Sequence, residues 1–293
     1  MNQVKTVALL GLLSALLITI SYWLIGGAVG AIFGIGLAAV MNLGSWYYSD
    51  RIALTVYGAQ PVSPAQTPGL YRIVKRLSDR AHLPMPSVYV VPSQAANAFA
   101  TGRDPNHAAI AVTQGIVRLL PEDELEAVIA HELSHIYNRD TLTQAVAATI
   151  AGAISFLAQL ASFSFWFGGG NRDENGGNPL GLLLTMIVAP IAATVIQLGI
   201  SRTREFEADA GAARLTQNPR ALARALQRLE ASARRMPLMS NPAFEPLLIT
   251  GSPERSPLSN LFSTHPSTEA RIQNLLKLER ELTPISQPAF RGF

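Results

Sequence analysis

Hydrophobic and polar positions fall into long blocks along this chain. No charged residue occurs from Thr6 to Ser49, a run of 44. As one helix it would be roughly 66 Å long, about twice the hydrocarbon thickness of a bilayer. Two spans joined by a tight turn fit better, with the turn near Ser21-Tyr22-Trp23 or at Gly26-Gly27. Trp23, Trp46, Tyr47 and Tyr48 suit the membrane interface. Lys5 and the leucine-rich stretch after it also allow a cleaved leader, but no small-x-small cleavage site precedes a polar mature start.

From Asp50 to Asp140 the charges return and the patterning becomes that of a globular domain. Leu70, Ile73, Val74 and Leu77 recur at helical spacing and predict an amphipathic helix over Pro68 to His82. Ser87 to Val91 and Ala108 to Thr113 predict strands by their β-branched content. Asn97 to Gly102 reads as a short strand and turn between them, and Pro121 to Asp140 reads as one helix. Thr141 to Asn171 is again uncharged for 31 residues and Asn175 to Ser201 for 27, with a Gly- and Asn-rich loop between them. Each run is long enough to span, but the first is rich in Ala, Ser, Thr and Gln, so a helical hairpin buried against the rest also fits.

Beyond Ser201, Asn218-Pro219 opens a helix to about Met236. Met236 to Pro257 is rich in Pro and Ser and predicts a mobile loop or flap. A last helix follows over Ser267 to Glu281, with Ile272, Leu275, Leu276 and Leu278 expected to be buried. The whole predicts an α+β, mainly helical chain with about four transmembrane helices.

Composition supports the membrane assignment. Only 15% of the 293 residues are charged, 48% are hydrophobic, and the mean hydropathy is +0.23. Soluble domains carry about 25% charged residues. The net charge of +3, without a dense Lys/Arg cluster, argues against nucleic acid as a partner. Lys5 and the basic residues between Arg51 and Arg139 put the amino terminus and residues 50–140 on the cytoplasmic side. Two more crossings would return residues 202–293 to that side. There is no cysteine, so any metal must be held by His and carboxylate.

Candidate chemistry lies on the predicted helix at Pro121 to Asp140. His131-Glu132-Leu133-Ser134-His135 has the His-Glu-x-x-His form. Residues four apart share a helix face, so His131 and His135 can turn imidazole nitrogens to one metal ion. Glu132, next in the turn, is placed to take a proton from an activated water. Hydrolytic zinc is usually held by three protein ligands. Without cysteine a carboxylate is the natural third; Glu205 could supply it, with Asp209 four residues on and on the same face, able to accept a hydrogen bond from the second nitrogen of a ligand histidine. Glu207 lies on the opposite side of that helix. The bland alternative for this stretch is a solvated acidic face. Asp140 is either a similar acceptor behind His135 or simply a helix-end residue.

These motifs carry a resemblance. His-Glu-Leu-Ser-His with Asn138 and Asp140 behind it, Ser-Arg-x-x-Glu-Phe-x-Ala-Asp at 201–209, Asn-Ala-Phe-Ala-Thr-Gly at 97–102 and the Gly-Gly-Asn-Arg-Asp-Glu loop together resemble the HtpX family. These are bacterial membrane-bound zinc metalloproteases related to the CAAX prenyl endopeptidases. The resemblance runs from the first span to the final helix, with no departure at the motif positions. It implies a gluzincin-type catalytic domain holding one Zn²⁺ through His131, His135 and Glu205, with Glu132 as base. That domain would be split between residues 50–140 and 202–293, between two spans in 1–49 and a hairpin in 141–201. The resemblance further implies that Asn97 and the strand around Phe99 hold the substrate backbone, and that His265 and Arg271 lie near the cleft and assist the oxyanion. For His265 the alternative is an exposed residue at a helix start. His82 and His107 match nothing in the family pattern. The implied role is quality control and stress response at the cytoplasmic face of the inner membrane, on unfolded or misfolded membrane proteins, alongside other membrane proteases. A membrane-bound holdase, a transporter and a protease narrowed to prenylated tails are the rival readings.

Overall fold

The computed structural model describes residues 2–149, 202–238, 247–249 and 266–282, and it is a mainly helical α+β fold. Helices α1 (Asn2–Ile25) and α2 (Gly27–Tyr47) form an antiparallel pair. The reversal falls at Gly26-Gly27, the second of the two expected positions, where φ is +95° and +55°, values that glycine adopts without a Cβ penalty. Gly30 and Gly34 let α2 approach so closely that a methyl on either would strike the backbone of α1 at Ser21 or Ile18. Asn42 ties the far ends together through the Ser14 hydroxyl at 2.8 Å.

Within α2, Gly27–Gly44 is long and apolar enough to cross a membrane by length and composition, and 17% of it is buried. The apolar window of α1, Leu10–Thr19, is shorter. Among the described residues, then, one helix meets the criterion where two were expected before Asp50. Most of the second expected pair, residues 150–201, lies outside the described residues.

After α3 (Ser49–Val56) comes a four-stranded sheet in the order β1-β2-β4-β3, formed by β1 (Gln60–Pro61), β2 (Ser87–Val91), β3 (Ala98–Gly102) and β4 (Ala108–Thr113). β2 and β4 are parallel, whereas β3 returns antiparallel to β4, pairing Ala98 with Val112 and Ala100 with Ile110. β4 is buried along its whole length, as its uninterrupted Ala-Ala-Ile-Ala-Val run requires. Alternate residues serve two cores. Ala108, Ile110 and Val112 meet α4 (Pro68–Arg80) and α6 (Glu122–Tyr137), while Ala109 and Ala111 join Ala53, Leu54, Tyr57 and Phe99. Among the described residues β3 ends the sheet, and no strand pairs with its outer edge.

Thr113 caps α5 (Gln114–Leu119) by accepting from the Ile116 N–H at 3.1 Å. The run expected as one helix to Asp140 breaks earlier. α6 ends at Tyr137, Arg139 turns with φ +58°, and a new helix, α7, occupies residues 140–149. That break lets Asp140 turn back towards α6. α8 (Arg202–Thr216), α9 (Pro219–Arg235) and α10 (Thr268–Leu282) complete the described fold, with α8 lying along α6. The close approach is set at Gly211, where a methyl would run into the Ser134 side chain. In α10 the buried face is Arg271 and Leu275; Leu276, expected inside, is 39% exposed.

Candidate metal centre

α6 brings His131 and His135 onto one face, and both are buried beneath α8. Their Nε2 atoms lie 3.2 Å apart and their rings stand at 90°. Glu205, on the facing side of α8, lies with Oε2 3.6 Å from His131 Nε2 and Oε1 3.7 Å from His135 Nε2. One donor atom from each of the three falls within 4.8 Å of the others.

The opposite ring nitrogens are also held. His131 Nδ1 is 3.0 Å from Asp209 Oδ1, and His135 Nδ1 is 3.1 Å from Asp140 Oδ2. A carboxylate on Nδ1 keeps the proton there and leaves the Nε2 lone pair free. Two Nε2 lone pairs facing each other across 3.2 Å, with a carboxylate beside them, repel unless a cation sits between them. Burial pushes the His131 pKa down, yet the Asp209 and Glu205 carboxylates outweigh it and raise it to about 9. The pocket demands positive charge, and two imidazoles with a carboxylate suit a borderline divalent ion such as Zn²⁺.

Glu132 points towards the sheet. It is 2% exposed, and the Ala100 backbone N–H of β3 donates to it. Burial, the dominant influence, raises its pKa above the ordinary carboxylate range. Asp209 behaves oppositely: burial would raise it, but the Arg271 guanidinium holds it below the usual range. Glu207 is exposed, as its place on the helix requires.

The expected substrate residues fare differently. Asn97 is buried beside the cluster, with Oδ1 accepting from the Ala98 N–H at 2.9 Å and the Ile249 N–H at 3.1 Å. The Phe99 ring lies against Tyr57, 5.0 Å between centroids, in the apolar cluster that also holds Leu247 and Leu248. Period-two alternation puts that ring on one face of the sheet, while the Ala98 carbonyl and the Ala100 N–H point out from the strand edge. Arg271, expected to face substrate, is 2% exposed; its Nη2 and Nε donate to Asp209 and its Nη1 to the Ile249 carbonyl at 3.2 Å. His265 lies outside the described residues. His82 and His107 sit on the surface, the latter paired with Asp104 at 2.9 Å.

Two groups at the site had gone unread. Arg204 is 4% exposed, with Nη1 3.8 Å from Asp140 Oδ1, and burial lowers its pKa. Its signal was a cation one position before a candidate ligand. Leu247, Leu248 and Ile249, an apolar triplet within the presumed flap, line the cavity with His131, Glu132, His135, Gln144 and Glu205. Their polar surroundings in the chain concealed them.

The profile of "Peptidase family M48" matches residues 64–279. The chain belongs to peptidase family M48. Among its M48 relatives, "Protease HtpX homolog" of Trichormus variabilis is 73% identical over 287 residues, covering 97% of this chain and 99% of that protein. The protein of the same name from Pyrococcus furiosus is 48% identical over 280 residues, covering 95% and 96%. The crystal structure of S. mikatae Ste24p aligns with a TM-score of 0.49 at 21% identity, over 82% of this chain and 57% of that one. The M48 chain is accordingly a metalloendopeptidase, and its resemblance to HtpX proteases holds along almost its full length.

Proposed function

We propose that this M48 peptidase is a zinc-dependent membrane endopeptidase that cleaves unfolded or misfolded membrane proteins at the cytoplasmic face, in quality control and stress response. In this reading the domain is of the gluzincin type, anchored by about four helices in a bacterial inner membrane. The single observation that carries it is the meeting of three elements at one point. The Nε2 atoms of His131 and His135 and the Glu205 carboxylate converge, and Glu132 beside them is bonded to the free edge of the sheet. A hydrolytic zinc site needs three protein ligands and a position left open, and this cluster has three members among the described residues.

His131, His135 and Glu205 would hold the ion, with Asp209 and Asp140 fixing the two histidine tautomers. Zinc supplies a lowered water pKa, towards ~7, and polarisation of the scissile carbonyl. Glu132 takes the proton as the water oxygen bonds to the peptide carbon. It then delivers that proton to the departing amine nitrogen as the C–N bond breaks. Its raised pKa suits both halves of that shuttle. Ala98 O and Asn97 Oδ1 are acceptors on the β3 edge for a substrate N–H, so the peptide adds to the sheet as an extra strand. An unfolded chain can adopt that extended form, whereas a folded helix cannot.

The test is purification in detergent with chelator present, then addition of zinc to the full chain with an unfolded membrane-protein substrate. Fragments should appear with the unmodified chain and not with Glu132→Gln, while both bind zinc. Undiminished cleavage by Glu132→Gln refutes the assignment.

A further inference from the structure

We propose that the chain's own Leu247-Leu248-Ile249 segment occupies the place of a bound substrate strand and blocks the metal centre until an extended apolar peptide displaces it. This rests on β3 being the substrate-binding edge.

The Ile249 N–H donates to Ala98 O at 3.1 Å and approaches Asn97 Oδ1 at 3.1 Å. Ala98 O is an outward-facing backbone acceptor of the edge strand, the kind of group an added strand would use, and the Asn97 side chain adds a second acceptor beside it. On its other side, the Ile249 carbonyl accepts from Arg271 Nη1 at 3.2 Å. Both backbone polar groups of Ile249 are therefore held, its N–H at the sheet and its carbonyl by the residue that grips Asp209. Leu247, Leu248 and Ile249 are 5%, 3% and 2% exposed, and the two leucines fill the apolar cluster of Tyr57 and Phe99.

What remains open beside His131, Glu132, His135 and Glu205 is a cavity of about 10 Å³. That is scarcely room for one water molecule. Among the described residues the triplet covers His131, Glu132, His135 and Glu205, so a substrate takes its position. An incoming apolar strand replaces the hydrogen bonds at Ala98 and Asn97 and refills the leucine sites, making the exchange nearly balanced. A polar strand refills neither leucine site. The blocking segment thus selects for extended, branched-aliphatic sequence, which folded proteins keep inside and unfolded membrane segments display.

The test uses the zinc-loaded full chain in detergent and a leucine-containing tripeptide hydroxamate as probe. The Ile249 amide should be protected from hydrogen exchange in the resting protein and lose that protection at saturating hydroxamate. Ile249→Pro, which removes the donor, should bind the hydroxamate roughly three- to tenfold more tightly, the range of one lost hydrogen bond. It should also lower KM for an unfolded substrate with kcat little changed. An Ile249 amide still protected at saturating probe makes the segment a fixed wall and overturns the proposal, as does equal or weaker binding by Ile249→Pro. The exchange measurement needs no variant, so it decides the matter even where the proline chain fails to fold. Failure of the underlying reading looks different: neither protein binds the hydroxamate or cuts, and both proposals fall together.

Discussion

Arg271 grips Asp209 with two parallel hydrogen bonds, Nη2 to Oδ1 at 2.6 Å and Nε to Oδ2 at 2.9 Å, and neither side chain reaches solvent. Asp209 in turn holds His131 Nδ1. The cation on α10 therefore steadies a histidine on α6 through a carboxylate on α8. Arg271→Leu strands a buried carboxylate, a change that costs about 3–5 kcal/mol when one partner of a buried pair is removed. Zinc affinity should fall with it, measured by competition with a chromogenic chelator. Arg271→Lys keeps the charge but loses the fork, so it should recover only part of both.

The two histidine supports can be tested separately. Asp209→Asn and Asp140→Asn each weaken the hold on one Nδ1 proton, and each should reduce zinc affinity about 10–100-fold. Metal titration followed by calorimetry measures it. Equal affinity in Asp140→Asn would leave Asp140 as a helix-end residue only.

Glu205→Ala removes the carboxylate that lies within 4 Å of both Nε2 atoms. Zinc content after purification, read by atomic emission, should drop well below one per chain. A full complement would move the third ligand elsewhere.

At Gly211, α8 leaves no room for a side chain against Ser134 of α6. A side chain there meets Ser134, one residue before His135, and pushes the helix carrying Glu205 away from the histidines. Gly211→Val should cost about 1–3 kcal/mol of stability and weaken zinc binding without touching a ligand. Thermal unfolding with and without zinc separates the two effects.

Chelation should destabilise the fold. Two imidazole nitrogens at 3.2 Å and the carboxylates around them favour a bound cation, and a ligand at a thousandfold its Kd contributes about 4 kcal/mol. For a chain of this size that corresponds to roughly 10 °C in Tm, restored on adding zinc back.

Much of this was open to reading from local pattern. The 3.6-residue period of Leu70, Ile73, Val74 and Leu77 and the uninterrupted apolar run of β4 specify their elements because the buried face of each is written in neighbouring residues. His131, Glu132 and His135 are legible for the same reason, since one helical turn sets their geometry. The pairing of Glu205 with Asp209 follows from that rule too. What α8 faces does not follow from it.

Contacts between distant segments were decided only in three dimensions. Arg139 breaks the helix with a positive φ, so Asp140 returns to His135 instead of continuing away. Nothing in the spacing ties Arg271 to Asp209, 62 positions earlier, yet the fold buries the two together as an ion pair. Leu247 to Ile249 sit in a stretch whose prolines and serines suggest a solvated loop. A free sheet edge and an apolar hole beside the metal ligands draw them inside. Sequence determined which side chains with metal-binding and proton-accepting chemistry this protein has. Tertiary packing decided which charges neutralise one another and what covers the site, because both depend on burial, and burial is a property of the assembled chain.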